Sequence, residues 1–478
     1  MSPRMPHPGG HEPDDESAVG AHVRPGHQRW LRSHPVSDAT RIPTPSRATP
    51  GHPRGRTSSA GVPPTSPRHP HQQHPVRQVR LTTYGVTMAG RFRPVGLITV
   101  TTGLLLATAC GGASLGTGEG TRQSGPVKIG LLVPQSGIYK ALGDDMKQGF
   151  ELYVRQHGGK LGGREVEIVV ADEGETADSG KAAAEKLVKQ DRVLAVSGVV
   201  SSATINGVKD LFETSKVPLV GSNASPTTLT GTEYIWRTSY VNDEPGKALG
   251  KHVAEKAGGP VFLVAAGYQA GKDEVEGFKS TFLPAGGKIA GEEVYTPFPA
   301  TKNFQPYLAQ IENSGAKAVF CFYAGGAAVD FVKQYRDFGL ARKIPLYAPG
   351  FLTEGGVLAG QGDAANGILT ALNYSADLDN AANKQFAPAY RSAYGAAPTT
   401  YAMASWDAAQ VLDKAIKAAG ATVTPESVNA AIATVGDIDS PRGTWRFNSG
   451  GTPIQPWYLR EVRQGANTVA GDLGRLGG

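Results

Sequence analysis

From Pro126 onward the chain alternates strand-like and helix-like segments, and that alternation limits its fold more than any other feature. "VKIGLLVP" is a short apolar run ended by Pro, which reads as a buried strand. "GDDMKQGFELYVRQHGG" has helical spacing, acids in its first turn and Gly-Gly at its end. "REVEIVVADE", "RVLAVSG" and "VPLVGS" read as further strands, separated by the helical segments "SGKAAAEKLVKQD" and "ATINGVKDLFETSK". After "TEYIWRTSYVNDEPG" the pattern restarts. Helices are predicted in "KALGKHVAEKAGG", "KDEVEGFKSTFLPAGG", "FQPYLAQIENSG" and "AAVDFVKQYRDFGL". Strands are predicted in "PVFLVAAG", "KIAGEEVYTP", "AKAVFCFYAGG" and "IPLYAPG". Two later helices follow, in "ANKQFAPAYRSAYG" and "MASWDAAQVLDKAIKAAG", and "RGTWRFNSGGTPIQPWYLREV" predicts a terminal hairpin around Gly450-Gly451. Repeated βαβ units of this kind build parallel sheets, so the expectation is an α/β chain of two similar lobes.

The segment before this pattern has a different composition. Residues 1–87 hold 11 Arg, no Lys and 5 acidic residues, together with 9 of the 11 His and 15 of the 34 Pro. From Cys110 onward 35 basic residues face 37 acidic ones, so the overall charge of +6 belongs to the leader. No nucleic-acid partner is inferred from it. The His-rich "RHPHQQHP" admits a metal-binding reading. With almost no large apolar residues to offset ordering entropy, 1–87 is better read as a disordered or spuriously translated leader.

Met88 then opens "MAGRFRPVGLITVTTGLLLATAC", with Arg91 and Arg93 before an apolar run and small residues before Cys110. The uncharged run is too short to span a bilayer, which needs ~20 residues, so 88–109 is expected to be an export signal. The segment resembles the lipobox of bacterial lipoproteins. That resemblance implies a diacylglycerol on Cys110, a double chain that anchors stably to a membrane. "GGASLGTGEGTRQSG" follows as a flexible tether over 110–125. The second cysteine, Cys321, falls in an apolar strand and is expected to pack as a small hydrophobe, with no intramolecular disulfide once Cys110 is acylated.

Enzyme chemistry is poorly represented. After the leader only His157 and His252 remain, and no G-x-S-x-G, Walker A, H-E-x-x-H or C-x-x-C sequence occurs. His157 stands at a predicted helix end beside Gly158, where capping is the expected role. No catalysis, metal or cofactor is expected, which leaves binding. In open α/β sheets ligands sit beyond the carboxyl ends of the strands. Three such ends carry hydroxyl or amide side chains: Ser136 and Tyr139; Ser201 and Ser202; and Ser222, Asn223 and Ser225. One such loop alone would suggest helix capping. Three at one sheet edge suggest a carboxylate site built from hydroxyls and helix N-terminal N–H groups.

"LLVPQSGIYKALGDDMKQGFELYV", "VLAVSGVVSSATINGV", "VPLVGSNASPTTLTG" and "YAMASWDAAQVLDKAI" together resemble the extracytoplasmic solute-binding proteins of branched-chain amino-acid ABC importers, over nearly all of 126–462. The resemblance implies a type I periplasmic binding fold: two Rossmann-like lobes with parallel sheets, joined by three hinge segments. The implied lobes are 126–245 plus about 374–442, and 246–373 plus about 443–472. By the same resemblance Ser202 or Ser201 and Ser225 hold a ligand carboxylate, Asn223 contributes backbone, and Tyr139 packs near the ligand.

Two departures from the family pattern concern the second lobe. Ala270 stands where a ligand-contacting tyrosine is usual, with Tyr268 two residues earlier, and the acid that pairs with the ligand ammonium aligns with Thr301, beside Lys302. A buried ammonium lacking a carboxylate partner costs several kcal/mol. The expected ligand is therefore a carboxylate without an α-ammonium, such as an aromatic or branched aliphatic acid. Tyr240, Tyr268, Tyr323 and Phe351 are candidates to line its pocket. The implied function is that of a lipid-anchored, monomeric receptor delivering a small carboxylate-bearing solute, a branched-chain amino acid or a related aliphatic or aromatic acid, to ABC permease subunits at the outer face of the cell membrane. A sensor of the same fold is the alternative, and an extracellular enzyme is the disfavoured one.

Overall fold

The computed structural model describes residues 125–478. The leader, the export signal, Cys110 and nearly all of the tether lie outside the described residues. The first lobe is built on β1 (Val127–Val133), β2 (Lys160–Leu161), β3 (Arg164–Asp172), β4 (Ala195–Gly198), β5 (Leu219–Gly221) and β6 (Ile235–Arg237). Their order in the sheet is β2-β3-β1-β4-β5-β6. All neighbours pair in parallel except β2 with β3. Helices α1 (Lys140–Gln156), α2 (Ala177–Glu185) and α3 (Ser202–Ser215) connect these strands. The α2 segment ends in a wider turn, Lys186–Asp191, with Arg192 left-handed at its close.

In the second lobe the strands are β7 (Val261–Ala266), β8 (Val294–Thr296), β9 (Ala318–Phe322), β10 (Leu346–Pro349), β11 (Leu369–Leu372), β12 (Arg446–Phe447), β13 (Pro453–Arg463) and β14 (Ala466–Leu476). They run in the order β12-β13-β11-β10-β9-β7-β8, with β14 beside β13. Helices α4 (Glu244–Lys256), α5 (Gln269–Phe282), α6 (Gln305–Asn313), α7 (Gly325–Asp337) and α8 (Gly356–Gln361) belong here. Strands β7 and β9 are buried along their whole length, as expected where helices cover both faces of a parallel sheet. The later helices α9 (Ala381–Tyr394), α10 (Thr400–Ala418) and α11 (Pro425–Ile432) return to the first lobe, where α10 packs along α1. Between sheets the chain crosses through 238–243, 373–380 and 433–445.

These crossings are tied together by buried polar groups. The Ser239 carbonyl accepts from Asn373 Nδ2 (2.8 Å), Arg442 (2.9 Å) and Gln455 Nε2 (2.9 Å), one group from each of the later strands or crossings. Arg442 also pairs with Asp407 of α10 at 2.7 Å, both side chains being fully buried. Ser440 and Trp445 donate to the same Asp407 oxygen.

Two expectations for secondary structure change. "KIAGEEVYTP" forms only Val294–Thr296, preceded by a single bridge from Ile289 to Val261. The hairpin around Gly450-Gly451 is short, pairing Arg446 with Ile454 and Phe447 with Pro453. The longer hairpin lies beyond it, where β13 pairs with β14 across left-handed Gln464 and Gly465. No residue of β14 is fully buried and its apolar residues do not alternate, so it lacks the pattern by which a strand is recognised.

Candidate functional site

In each sheet the strand order reverses next to the lobe's first strand, at β1/β4 in one lobe and β7/β9 in the other. Ligands of doubly wound sheets occupy the crevice at such reversals, outside the carboxyl ends of the strands. A cavity lies there, between the carboxyl ends of the two sheets. Tyr139 and Leu142 follow β1, Val200 and Ser202 follow β4, and Asn223 and Ala224 follow β5. Facing them are Tyr268, Ala270 and Glu274 after β7, and Phe322 and Ala324 at the end of β9. Tyr240 and Asn242 enter from the first crossing, Phe351 from the turn after β10, and Tyr401 from the start of α10.

Six of the fifteen lining residues are aromatic. Phe351 stands at the centre, with ring centroids 5.1 Å from Tyr240, 6.2 Å from Phe322 and 6.2 Å from Tyr401. Tyr268 stacks on Phe298 at 4.4 Å and lies 6.1 Å from Phe322. No Lys, Arg or His is among the lining residues. The two lobes meet around the cavity: the hydroxyls of Tyr139 and Tyr268 approach to 3.4 Å, and Thr227 donates to Asp273 from its hydroxyl (2.7 Å) and its N–H (3.2 Å).

The expected polar residues divide into those at the cavity and those away from it. Ser202 is buried against it, its hydroxyl accepting from Asn242 Nδ2 at 3.0 Å. Asn223 lines it too, but its side chain is engaged, donating to the Val200 carbonyl (3.0 Å) and accepting from the Tyr240 hydroxyl (2.8 Å). Ser136 is exposed and donates to Asp172, which anchors the loop after β1. Ser201 caps α3 by accepting from the Ala203 N–H. Ser225 is fully buried outside the lining, its hydroxyl without a partner. The hydroxyl of Thr301 turns back to the Pro297 carbonyl, and Tyr323 packs in the core between Phe304 and Phe331. Neither lines the cavity.

Two carboxyl groups escape the sequence argument. Glu173, with no exposed surface, accepts the N–H groups of Val200 (2.7 Å) and Ser201 (2.8 Å). The donors expected for a ligand at the start of α3 are thus partly taken by the protein itself. Burial raises the Glu173 carboxyl to about 7, against the pull of those two donors. Glu274 lines the cavity one helical turn after Ala270, on the same face of α5. That spacing was the available signal for it. Gly246 and Gly277 let α4 and α5 approach closely: a Cβ on Gly246 would lie 2.3 Å from the Glu274 carbonyl, and one on Gly277 2.0 Å from that of Asp243. In consequence Glu274 Oε2 accepts the Gly246 N–H at 3.0 Å, while Oε1 is buried without a partner. Burial, reinforced by Asp243, Asp273 and Glu244, holds the Glu274 carboxyl well above the ordinary carboxylate range. The Tyr401 hydroxyl is likewise buried and unpartnered.

Among the described residues no cluster of His, Cys, Asp and Glu has the form of a metal site, and no helix is long and apolar enough to cross a membrane. Free Cys321 is buried in β9.

Comparison with known proteins agrees with this architecture. A family profile described as periplasmic binding protein matches residues 126–467. Leu/Ile/Val-binding protein homolog 6 of Brucella melitensis is 32% identical over 345 residues, covering 70% of this chain and 87% of that one. The solute-binding protein of an ABC transporter from R. palustris, solved in complex with benzoate, is 34% identical with a TM-score of 0.70, covering 74% of this chain and 98% of that one. One from Rhodopseudomonas palustris HaA2, in complex with p-hydroxybenzoic acid, is 31% identical with a TM-score of 0.68, covering 74% and 97%. With the two lobes and the cleft between them, these matches place the chain in the periplasmic binding protein family, among the type I solute-binding proteins of ABC transporters.

Proposed function

We propose that this protein is the receptor of an ABC importer for a small aromatic monocarboxylate, enclosed between the lobes as they close. The observation that carries this reading is the cavity wall: Tyr139, Tyr240, Tyr268, Phe322, Phe351 and Tyr401, drawn from both lobes and the crossings, with no basic side chain among them. Such a box offers a flat ring large apolar contact on both faces. The benzoate and p-hydroxybenzoic acid complexes of the two R. palustris relatives support it. Ser202, in the first turn of α3, is the proposed anchor for the ligand carboxylate, assisted by the Asn223 loop and the helix N-terminus. Ala270 supplies the small wall that makes room for the ring. Ser136, Ser201, Ser225 and Thr301 support loops and caps in this reading and do not touch ligand.

One observation favours a second reading. Glu274 puts a carboxyl group in the cavity where the sequence had offered none, and an α-ammonium would pair with it. A branched-chain amino acid then becomes the ligand. Isothermal titration of the purified protein separates the two. Micromolar binding of benzoate or a hydroxybenzoate without binding of leucine supports the first; the reverse supports the second.

Export and anchoring through a diacylglycerol thioether on Cys110 complete the proposal, with the protein acting as a monomer that presents its closed form to permease subunits. Intact-mass measurement of membrane-fraction protein tests the anchor: a mature chain starting at acylated Cys110 is expected, and an unmodified internal Cys110 would remove it.

A further inference from the structure

The aromatic box contains two polar groups that a bare aromatic ring leaves unsatisfied, the Tyr401 hydroxyl and Glu274, of which Glu274 is the acid. Glu274 is 1% exposed and lines the cavity, with Oε2 held by the Gly246 N–H and Oε1 facing no protein donor or acceptor. Buried polar atoms are nearly always partnered, and each orphan deserves a specific cause. Its surroundings supply none. The groups facing it from α4 and α5 are acidic: Asp243, Glu244 and Asp273. Each has business elsewhere or the wrong sign. Asp243 pairs with Lys247 at 2.6 Å, and Asp273 accepts from Thr227, Gln269 and Asn242. A negative charge added at Glu274 would be repelled by these neighbours, which together with burial favours its protonated form.

We infer that Glu274 is the specificity residue of this cavity, its free carboxyl oxygen meeting a hydroxyl carried on the ring of the bound aromatic acid. This rests on the aromatic-acid reading above and narrows it to hydroxylated rings. A hydroxyl offers one donor and two acceptor positions, so it complements the acid. An unsubstituted ring in the same place leaves a desolvated polar oxygen facing carbon. Sites built to hydrogen-bond a ligand group discriminate strongly against the analogue that lacks it. Glu274 projects from the lobe opposite Ser202, so a ligand anchored by its carboxylate at Ser202 presents its far side to the second lobe.

The test is a calorimetric comparison of benzoate, 3-hydroxybenzoate, 4-hydroxybenzoate and leucine on wild type, Glu274→Gln and Glu274→Leu. Wild type is expected to bind the better hydroxybenzoate about tenfold or more tighter than benzoate. Glu274→Gln, which keeps one oxygen for the Gly246 N–H and one amide donor for the ligand, should retain that preference. Glu274→Leu should abolish it, chiefly by weakening the hydroxybenzoate. If benzoate binds as tightly as both hydroxybenzoates to wild type, or if the Leu variant keeps the preference, the inference fails while the aromatic-acid reading stands. Binding of leucine with no binding of any benzoate would overturn both. Should the Leu variant not fold, the wild-type ratio and its retention in the Gln variant still decide the matter.

Discussion

The hinge and the cleft of this protein both bury acidic side chains, and they treat them in opposite ways. At the hinge Asp407 pairs with Arg442, and nearby Glu354 pairs with Arg460 at 2.9 Å, all four being buried. At the cleft Glu274 and Glu173 are buried with backbone N–H partners and no cation. The paired charges fix one arrangement of crossing segments, where a lost partner would strand a charge in a dry interior. Unpaired acids instead remain adjustable in protonation and in partner.

The largest expected effect breaks the hinge side. Arg442→Met leaves Asp407 buried and uncompensated, so it should destabilise by about 3–5 kcal/mol in denaturant unfolding. Glu274→Leu, which removes an unpaired acid, should cost far less, and equal losses would erase the contrast.

Next comes pH. Burial raises Asp145, Glu173 and Glu244 to about 7 from ordinary values of 3.8, 4.5 and 4.5. Between the unfolded and folded values the folded state binds more protons than the unfolded one. Stability attributable to these groups is therefore full below about pH 4 and is lost as pH rises through 7. Melting temperature should be lower at pH 8.5 than at pH 5.5. A higher melting temperature at pH 8.5 would mean that these carboxyls are ionised and paired in the folded protein.

Within the cleft, Tyr240→Phe removes the hydroxyl that donates to Asn223 at 2.8 Å and leaves that buried oxygen unsatisfied. A loss of about 1–3 kcal/mol in stability or ligand affinity is expected. The smallest effect is across the cleft. Thr227→Val deletes a 2.7 Å hydrogen bond to Asp273 that joins the lobes. It should weaken ligand binding by about 0.5–1.5 kcal/mol while leaving unfolding of the ligand-free protein nearly unchanged. A larger loss of stability than of affinity would show that the contact holds the fold rather than the closed state.

The alternation of strands and helices made the two-lobed fold legible, because each βαβ unit carries its own apolar period and its own punctuation. The loops after β1, β4 and β5 were legible for the same reason, and Tyr139, Ser202 and Asn223 do converge on the cavity. What a loop residue does inside its loop was not. Ser136, Ser201 and Thr301 have the right chemistry and the right neighbourhood, yet their hydroxyls satisfy local groups. Glu173 was hidden because its role depends on a contact with Val200 and Ser201 across the sheet, 27 and 28 residues away. Glu274 reads in sequence as one charge on an amphipathic helix with Lys272, Asp273 and Glu276. Only the glycine-mediated approach of α4 turns it inward.

The central claim is that the cleft is built for a ring and a carboxylate rather than for an α-amino acid. Titration calorimetry with benzoate, 4-hydroxybenzoate and leucine on the wild-type protein tests it most directly. Micromolar or tighter binding of at least one aromatic acid, with no heat from leucine, is the predicted result. Micromolar binding of leucine with no heat from either aromatic acid would contradict it.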